Sequence, residues 1–336
     1  MGKPNLRLAG AVLLLAALAG CAAVAPLPEI HRQPLPMPGE IAERFDYPRT
    51  PVVADATLRD DEDAFRIYDV RMESGLDDGD GDTPITLEYY EQKADGPSPV
   101  ILVLPILNGQ KHVIRPFATH FVDNGYSAVI VDSLQRKTLL EDMIRPEEAI
   151  RETIRRHRRV LDWIETRPEL DATRIAVFGA SLGGFNALFL AAADERVRAV
   201  APALVGGDLP YVLTYSTERR IREAAERTRE ALQADDAELE AYLAERIVTD
   251  PLDLAPYIDA DRVLMVLARY DDAVPYRKQM QLLDALGWPE SIKLPTGHIS
   301  AAAYLFYLRS RVLEFFDRKL AHADGGSVSE ILPRLR

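Results

Sequence analysis

Ser181 lies in the string Gly179-Ala180-Ser181-Leu182-Gly183-Gly184, between a short β-branched and aromatic run (Arg174–Phe178, RIAVF) and an Ala/Leu-rich stretch. A G-x-S-x-G string says little alone. Between a strand and a helix it reads as a nucleophile elbow, in which a strained turn lifts the serine hydroxyl clear of the sheet. Gly179 and Gly183 suit such a turn because backbone must approach there with no Cβ in the way. The N-terminus of the following helix favours an oxyanion. A serine hydroxyl is a poor nucleophile until a base takes its proton. Asp271 and Asp272 follow the apolar run Val263–Leu267, and His298 follows Ser291–Leu294 through Pro295-Thr296-Gly297. The chain order is therefore serine, acid, histidine, each just after a strand. Such a set supplies a nucleophile, a general base and a group that orients the base.

The elements needed to position these residues are legible from residue 99 onward. Val100–Leu104, Ser127–Val131, Arg174–Phe178, Val197–Leu204, Val263–Leu267 and Ser291–Leu294 read as strands, several of them continuously apolar. Between them Pro116–Asn124, residues 146–166, Leu182–Ala193, Pro275–Leu286 and Ala301–Leu320 carry helical patterns. Alternation of this kind predicts an α/β fold, a mostly parallel central sheet with helices on both faces. Residues 65–73 and 85–90 alternate as an N-terminal β-hairpin. The acidic string Asp77–Asp82 between them is an exposed turn; read as a calcium loop it would put Thr83 where glycine belongs and Tyr89 where glutamate belongs. Residues 206–260 interrupt the alternation with two amphipathic helices, the second opened by Asp235 and Glu238 at capping-box spacing. Leaving the end of a strand, this segment is expected to cap the site.

Over roughly residues 98–320 the chain resembles the α/β-hydrolase superfamily. The resemblance rests on the Gly179–Gly183 elbow, on Asp271-Asp272-Ala273-Val274-Pro275, which matches the D-x-x-V-P acid segment after strand seven, and on Gly297-His298 after the last strand. It implies Ser181 as nucleophile, His298 as base and Asp271 as acid. Asp272 is a rival acid whose alternative role is a helix N-cap. Asp208 is a weaker rival, since some members place the acid after the preceding strand. The oxyanion hole is expected at the backbone N–H of Leu182 and one from Pro105-Ile106-Leu107, with Leu107 the donor; the His-Gly pair common there is missing. The implied activity is a carboxylic ester hydrolase acting through an acyl-enzyme on a small-molecule ester, without cofactor or metal. A serine peptidase or thioesterase, or a non-catalytic lipoprotein reusing the fold for binding, is the competing reading.

The N-terminus carries an address. Lys3 and Arg7 precede the apolar run Ala11–Ala19, too short to span a bilayer, which needs about 20 apolar residues, and followed by Leu18-Ala19-Gly20-Cys21. That string resembles the lipobox of bacterial lipoproteins, in which the cysteine is acylated. Cys21 is the single cysteine of the 336-residue chain, which rules out an internal disulfide. The expected organisation is a signal peptide over 1–20, a proline-rich tether over 21–60 that contains His31, a hydrolase domain over 61–320 and a tail over 321–336. Ala22, by resemblance to lipoprotein sorting, points to the outer membrane, with the protein in the envelope facing the periplasm. Loss of residues 1–20 takes the net charge from −13 to −15. Such a field repels nucleic acid and anionic headgroups, so acyl chains are the expected hold on the membrane. Protein partners are not indicated.

The remaining polar residues invite plainer readings. His112 falls in the oxyanion-side loop within reach of substrate, His120 on a helix packed against the sheet, and His322 in the tail. Asp132 lies at the end of Ser127–Val131, where it lines the pocket or caps a turn. His157 sits among Arg151, Arg155, Arg156, Arg158 and Arg159, interleaved with Glu147, Glu148, Glu152 and Asp162. That run reads as a solvated, salt-bridged helix face.

Overall fold

The computed structural model describes residues 33–76, 83–107, 111–132 and 143–321. Cys21, His31, the acidic turn at 77–82 and the tail beyond 321 lie outside these. Among the described residues nine strands form one sheet: β1 (Ala54–Asp61), β2 (Phe65–Met72), β3 (Ile85–Gln92), β4 (Ser98–Leu104), β5 (Ser127–Val131), β6 (Leu170–Ala180), β7 (Val197–Ala203), β8 (Leu264–Ala268) and β9 (Glu290–Leu294). Their spatial order is β1-β2-β3-β5-β4-β6-β7-β8-β9. The first three strands and the β3–β5 junction are antiparallel, and β5 through β9 are parallel. The helices are α1 (Gly39–Ala42), α2 (Lys111–Val122), α3 (Pro146–Glu165), α4 (Leu182–Ala193), α5 (Leu209–Tyr215), α6 (Arg219–Leu232), α7 (Asp236–Arg246), α8 (Pro251–Leu254), α9 (Tyr276–Ala285) and α10 (Leu305–Ala321).

Every residue of β5 and β8 is buried, as parallel strands covered on both faces require. One core lies between the sheet and α2 with α10, where Phe117 stacks on Phe178 at 4.2 Å between ring centroids. The other lies between the sheet and α3, α4 and α9, and it continues into the 206–260 insertion through Leu239 and Leu243. The chain runs from β4 outward to β5 and then back across β4 to β6. In open α/β sheets the crevice at such a reversal is where ligands bind. Here it brings the loops after β4 and β6 together.

The insertion forms four helices rather than the two expected, and the Asp235–Glu238 capping box forms. Asp250 ties its two ends together by accepting the backbone N–H groups of Asp208 (3.1 Å), Leu209 (2.5 Å) and Leu252 (2.8 Å). Burial raises the Asp250 carboxyl above its ordinary value, and those three N–H groups oppose the rise. Glu147, at the start of α3, accepts from Val248 N–H, Thr249 N–H and the Thr249 hydroxyl. The insertion is thus clamped across the top of α3.

Several expectations need correction. The tether does not extend to residue 60. Residues 33–53 lie on the domain: Leu35 N–H donates to Pro256 O at 2.8 Å, Phe45 is 1% exposed, and Tyr47 donates to Asp162. Residues 54–61 then add an edge strand, β1, whose sequence ADATLRDD has no apolar alternation because nearly all of it is exposed. Its Arg59 reaches Asp69 (2.9 Å) and Glu88, which is 1% exposed. Burial alone would raise the Glu88 carboxyl, but hydrogen bonds from Arg115, Lys111 and Arg59 outweigh it and hold it at about 2. Helix α2 begins at Lys111, five residues before the expected start, with Pro116 inside it. The last helix opens with a 3₁₀ stretch over Ser300–Tyr304.

The largest correction concerns α3. Its arginines do not form a solvated face; Arg156 and Arg159 are buried. Arg158 donates to Phe45 O (2.8 Å), Arg155 to Arg44 O (3.1 Å), Arg159 to Thr50 O (2.9 Å) and Ser74 O (2.8 Å), and Arg156 to Thr83 O (2.8 Å). A guanidinium has five donors and no acceptor, so it suits clusters of backbone carbonyls. The residue pattern that reads as a solvated charge run is the grip on residues 33–53.

Candidate active site

The turn from β6 into α4 is fixed by close backbone packing. A Cβ on Gly179 would overlap the Gly183 carbonyl, and one on Gly183 would overlap the Leu104 carbonyl at the end of β4. Both positions therefore exclude side chains. Ser181 adopts φ 53°, ψ −122°. Such a conformation costs a non-glycine residue about 1–3 kcal/mol. It is held by Ser181 N–H donating to Ala203 O (2.8 Å) and Ser181 O accepting from Phe185 N–H (3.0 Å).

The acid comes from the turn after β8. Asp271 is 4% exposed, and its carboxylate is fully occupied. Oδ1 accepts from the backbone N–H of Ala273 (2.9 Å) and Val274 (2.8 Å). Oδ2 accepts from Gln279 Nε2 (3.1 Å) and meets His298 Nδ1 at 2.7 Å. Gln279, fully buried on α9, also donates to Val274 O (2.7 Å) and accepts from Ala268 N–H (3.0 Å), fastening the acid turn to its strand. The histidine loop is tied to the same turn, since Tyr270 N–H donates to Thr296 O (2.9 Å). Ser300 Oγ accepts from Gly297 N–H (3.0 Å). His298 Nε2 lies 2.9 Å from Ser181 Oγ. With the Nδ1 proton donated to Asp271, Nε2 is left as the acceptor for the serine proton.

The structure thus brings Ser181, Asp271 and His298 together and leaves both rival acids out. Asp272 is exposed and makes no side-chain hydrogen bond among the described residues. Nor does it cap α9, whose N-cap position is Pro275 with no side-chain cap bond. The backbone donors of that turn go to Asp271 instead. Asp208 caps α5 through Tyr211 N–H (3.3 Å) and pairs with Lys278. Leu182 and Leu107 both line the cavity beside Ser181. Leu182 is the first residue of α4, so its N–H has no acceptor inside the helix. The seating of Gly183 on Leu104 brings the loop after β4 against the elbow.

The cavity is about 190 Å³. Ser181 and His298 lie on its wall, and Leu209, Val212, Leu213 and Ile221 of the insertion form another wall. Asp132 lines it too, accepting from the Thr86 hydroxyl (2.6 Å) and paired with Lys111. His112 does not reach it; it is exposed on the first turn of α2. His120 packs on α2 as expected, and burial lowers its basicity, aided by Arg309. His157 is a correction: it is 7% exposed and lines the cavity, with Arg156 beside it. Gln279 and His157 escaped the sequence reading. Only the position of Gln279 eight residues after Asp271, and the i, i+3, i+4 spacing of Ile150, Thr153, Ile154 and His157 through the arginine run, could have pointed to them. Among the described residues no group of three or more His, Cys, Asp or Glu is arranged to hold a metal ion.

A mostly parallel sheet with helices on both faces, carrying a strained serine at a strand–helix turn, defines an α/β-hydrolase fold and a serine hydrolase. Residues 87–234 match the Dienelactone hydrolase family, and the fold is that of the α/β-hydrolase superfamily. Similar solved structures include the acetyl xylan esterase from Paenibacillus sp. R4, at 19% identity and TM-score 0.57, covering 84% of this chain and 100% of that one. Acetyl xylan esterase 1 from Thermoanaerobacterium sp. JW/SL YS485 is 18% identical with TM-score 0.59, over 85% of this chain and 96% of that one. A cold-adapted esterase from an Arctic intertidal metagenomic library is 15% identical with TM-score 0.53, over 79% and 99%. No curated protein matches the chain by sequence.

Proposed function

We propose that this hydrolase cleaves carboxylic esters of small molecules through Ser181, His298 and Asp271, and that it works as a lipid-anchored protein of the bacterial envelope. Ser181 Oγ attacks the ester carbonyl carbon as His298 Nε2 takes its proton. The oxyanion is received by the backbone N–H groups of Leu182 and Leu107. On collapse the C–O bond breaks, and the alcohol leaves with the proton from His298. Water then attacks the acyl-enzyme with His298 again as base, releasing the acid and restoring the serine. Asp271 holds the imidazole in the required tautomer and stabilises the imidazolium.

The observation that carries this reading is the continuous relay: 2.9 Å from Ser181 Oγ to His298 Nε2 and 2.7 Å from His298 Nδ1 to Asp271 Oδ2. The esterases among the similar structures support an ester over an amide. A panel of p-nitrophenyl esters tests it. Turnover is expected in the wild type and lost in Ser181→Ala; equal rates in both would remove the serine from the mechanism. The anchor rests on Cys21 and on the apolar run before it. Cys21→Ala should leave the protein soluble or unprocessed, and unchanged partitioning into detergent would refute the anchor.

A further inference from the structure

The cavity continues past Ser181 between α3 and α4. Both helices follow parallel strands, so both run down from the same edge of the sheet. Ile150, Thr153 and His157 line it from α3, and Phe185, Asn186 and Phe189 from α4. At 1.5 Å per residue, Phe189 lies about 10 Å below the start of α4, and His157 about 10 Å below Ile150. His157 therefore lines the cavity two helical turns along α3 from Ile150.

Its chemistry there is unusual for a buried residue. The ring is 7% exposed, and Nδ1 is sealed with no hydrogen-bond partner. No hydrogen bond from the described residues reaches either ring nitrogen. Burial, with the neighbouring Arg156 adding to it, pushes the imidazole down to about 4, so it is neutral at physiological pH and carries one N–H and one lone pair. Sealing an N–H without an acceptor carries a desolvation penalty. The arrangement that avoids it puts the lone pair on Nδ1 and turns the Nε2–H toward the cavity. The charged residues lining the cavity are matched: Arg71 and Arg156 against Asp132 and Glu218. A ligand that fits this lining is uncharged.

We propose that His157 is a specificity-determining residue that donates a hydrogen bond to a neutral oxygen acceptor, such as a hydroxyl, ether or keto oxygen, on the substrate arm lying between α3 and α4. This rests on the cavity being the ester site. A plain alkyl chain entering the same space would leave the donor unmet, and sites built to hydrogen-bond a substrate group discriminate against analogues that lack it.

The test compares kcat/KM for p-nitrophenyl alkanoates of six to ten carbons with that for their ω-hydroxy and ω-carboxy counterparts. At one chain length or more, the wild type should prefer the ω-hydroxy ester over the alkyl ester by about tenfold or more. His157→Phe should abolish that preference, and His157→Gln, which retains a donor, should keep most of it. The wild-type ratio needs no variant to fold. Equal rates for hydroxylated and plain esters at every length, a preference that survives in His157→Phe, or a carboxylated ester outperforming the hydroxylated one would each overturn the proposal. In the first of these cases the ester-hydrolase reading stands. Failure to turn over any ester would remove both.

Discussion

Two walls of one cavity are built on different principles. On the wall of Ser181, His298 and Asp271, the polar side-chain atoms are partnered at 2.7 to 3.1 Å, and the backbone contacts that hold them come from within the turns themselves or from residues no more than 26 positions away. On the α3 wall, His157 Nδ1 has no hydrogen-bond partner among the described residues, and the arginines around it bind carbonyls about 70 to 110 residues distant. The first wall is arranged for chemistry before substrate arrives. The second has a hydrogen-bonding position still open, in a helix whose other contacts hold the N-terminal segment in place.

The contrast is broken most directly at the first wall. Ser181→Ala and His298→Ala should each lower kcat by about 10⁴-fold or more, and Asp271→Asn by about 10⁴-fold, because the imidazole then loses its tautomer control. Asp208→Asn and Asp272→Asn should retain turnover, since neither carboxylate touches His298. A loss confined to Asp208→Asn in steady-state kinetics would move the acid to the other strand.

On the α3 wall the expected effect is on stability and not on chemistry. Arg159→Ala removes the guanidinium donor to the Thr50 and Ser74 carbonyls and a buried partner of Asp162. Denaturant unfolding should show a loss of about 2–4 kcal/mol, with kcat on a short-chain ester little changed. A neutral effect would mean that the grip on residues 33–53 contributes nothing.

The same wall has its own pH signature. Between pH 6.5 and about 4 the unfolded chain protonates His157 while the folded chain keeps it neutral. The unfolded state then binds more protons, so stability falls as pH drops through that window, by about 3 kcal/mol at its lower end. His157→Phe should remove that part of the acid destabilisation in Tm measured against pH. Parallel profiles for variant and wild type would show the ring protonates freely in the folded state.

The smallest expected change sharpens the first wall. Gln279→Leu keeps the volume but removes the donor to Asp271 Oδ2 and the bond that ties the acid turn to β8. About a tenfold fall in kcat with KM nearly unchanged is expected, because Gln279 positions the acid without touching substrate. A rise in KM alone would place Gln279 in binding.

What the sequence revealed follows the same division. The elbow was legible because its constraint is local: Gly179 and Gly183 must lack side chains wherever that turn forms. β4, β5 and β8 were legible because burial on both faces leaves continuous apolar runs. β1 was not, because an exposed edge strand such as ADATLRDD needs no pattern beyond what β2 accepts. The arginines of α3 read as a solvated face because a guanidinium that binds a distant carbonyl looks, in sequence, like one that faces water. His157 was hidden in that run, and Gln279 was hidden because nothing local distinguishes a buried amide that orients an acid from a surface one.

The proposed hydrolysis depends on activation of the Ser181 hydroxyl by His298. Labelling of the intact protein with a fluorophosphonate probe, followed by peptide mapping, tests it most directly. Modification is expected at Ser181 alone, absent in Ser181→Ala and strongly slowed in His298→Ala. An unlabelled protein, or label carried on another residue at the same rate in all three, would contradict it.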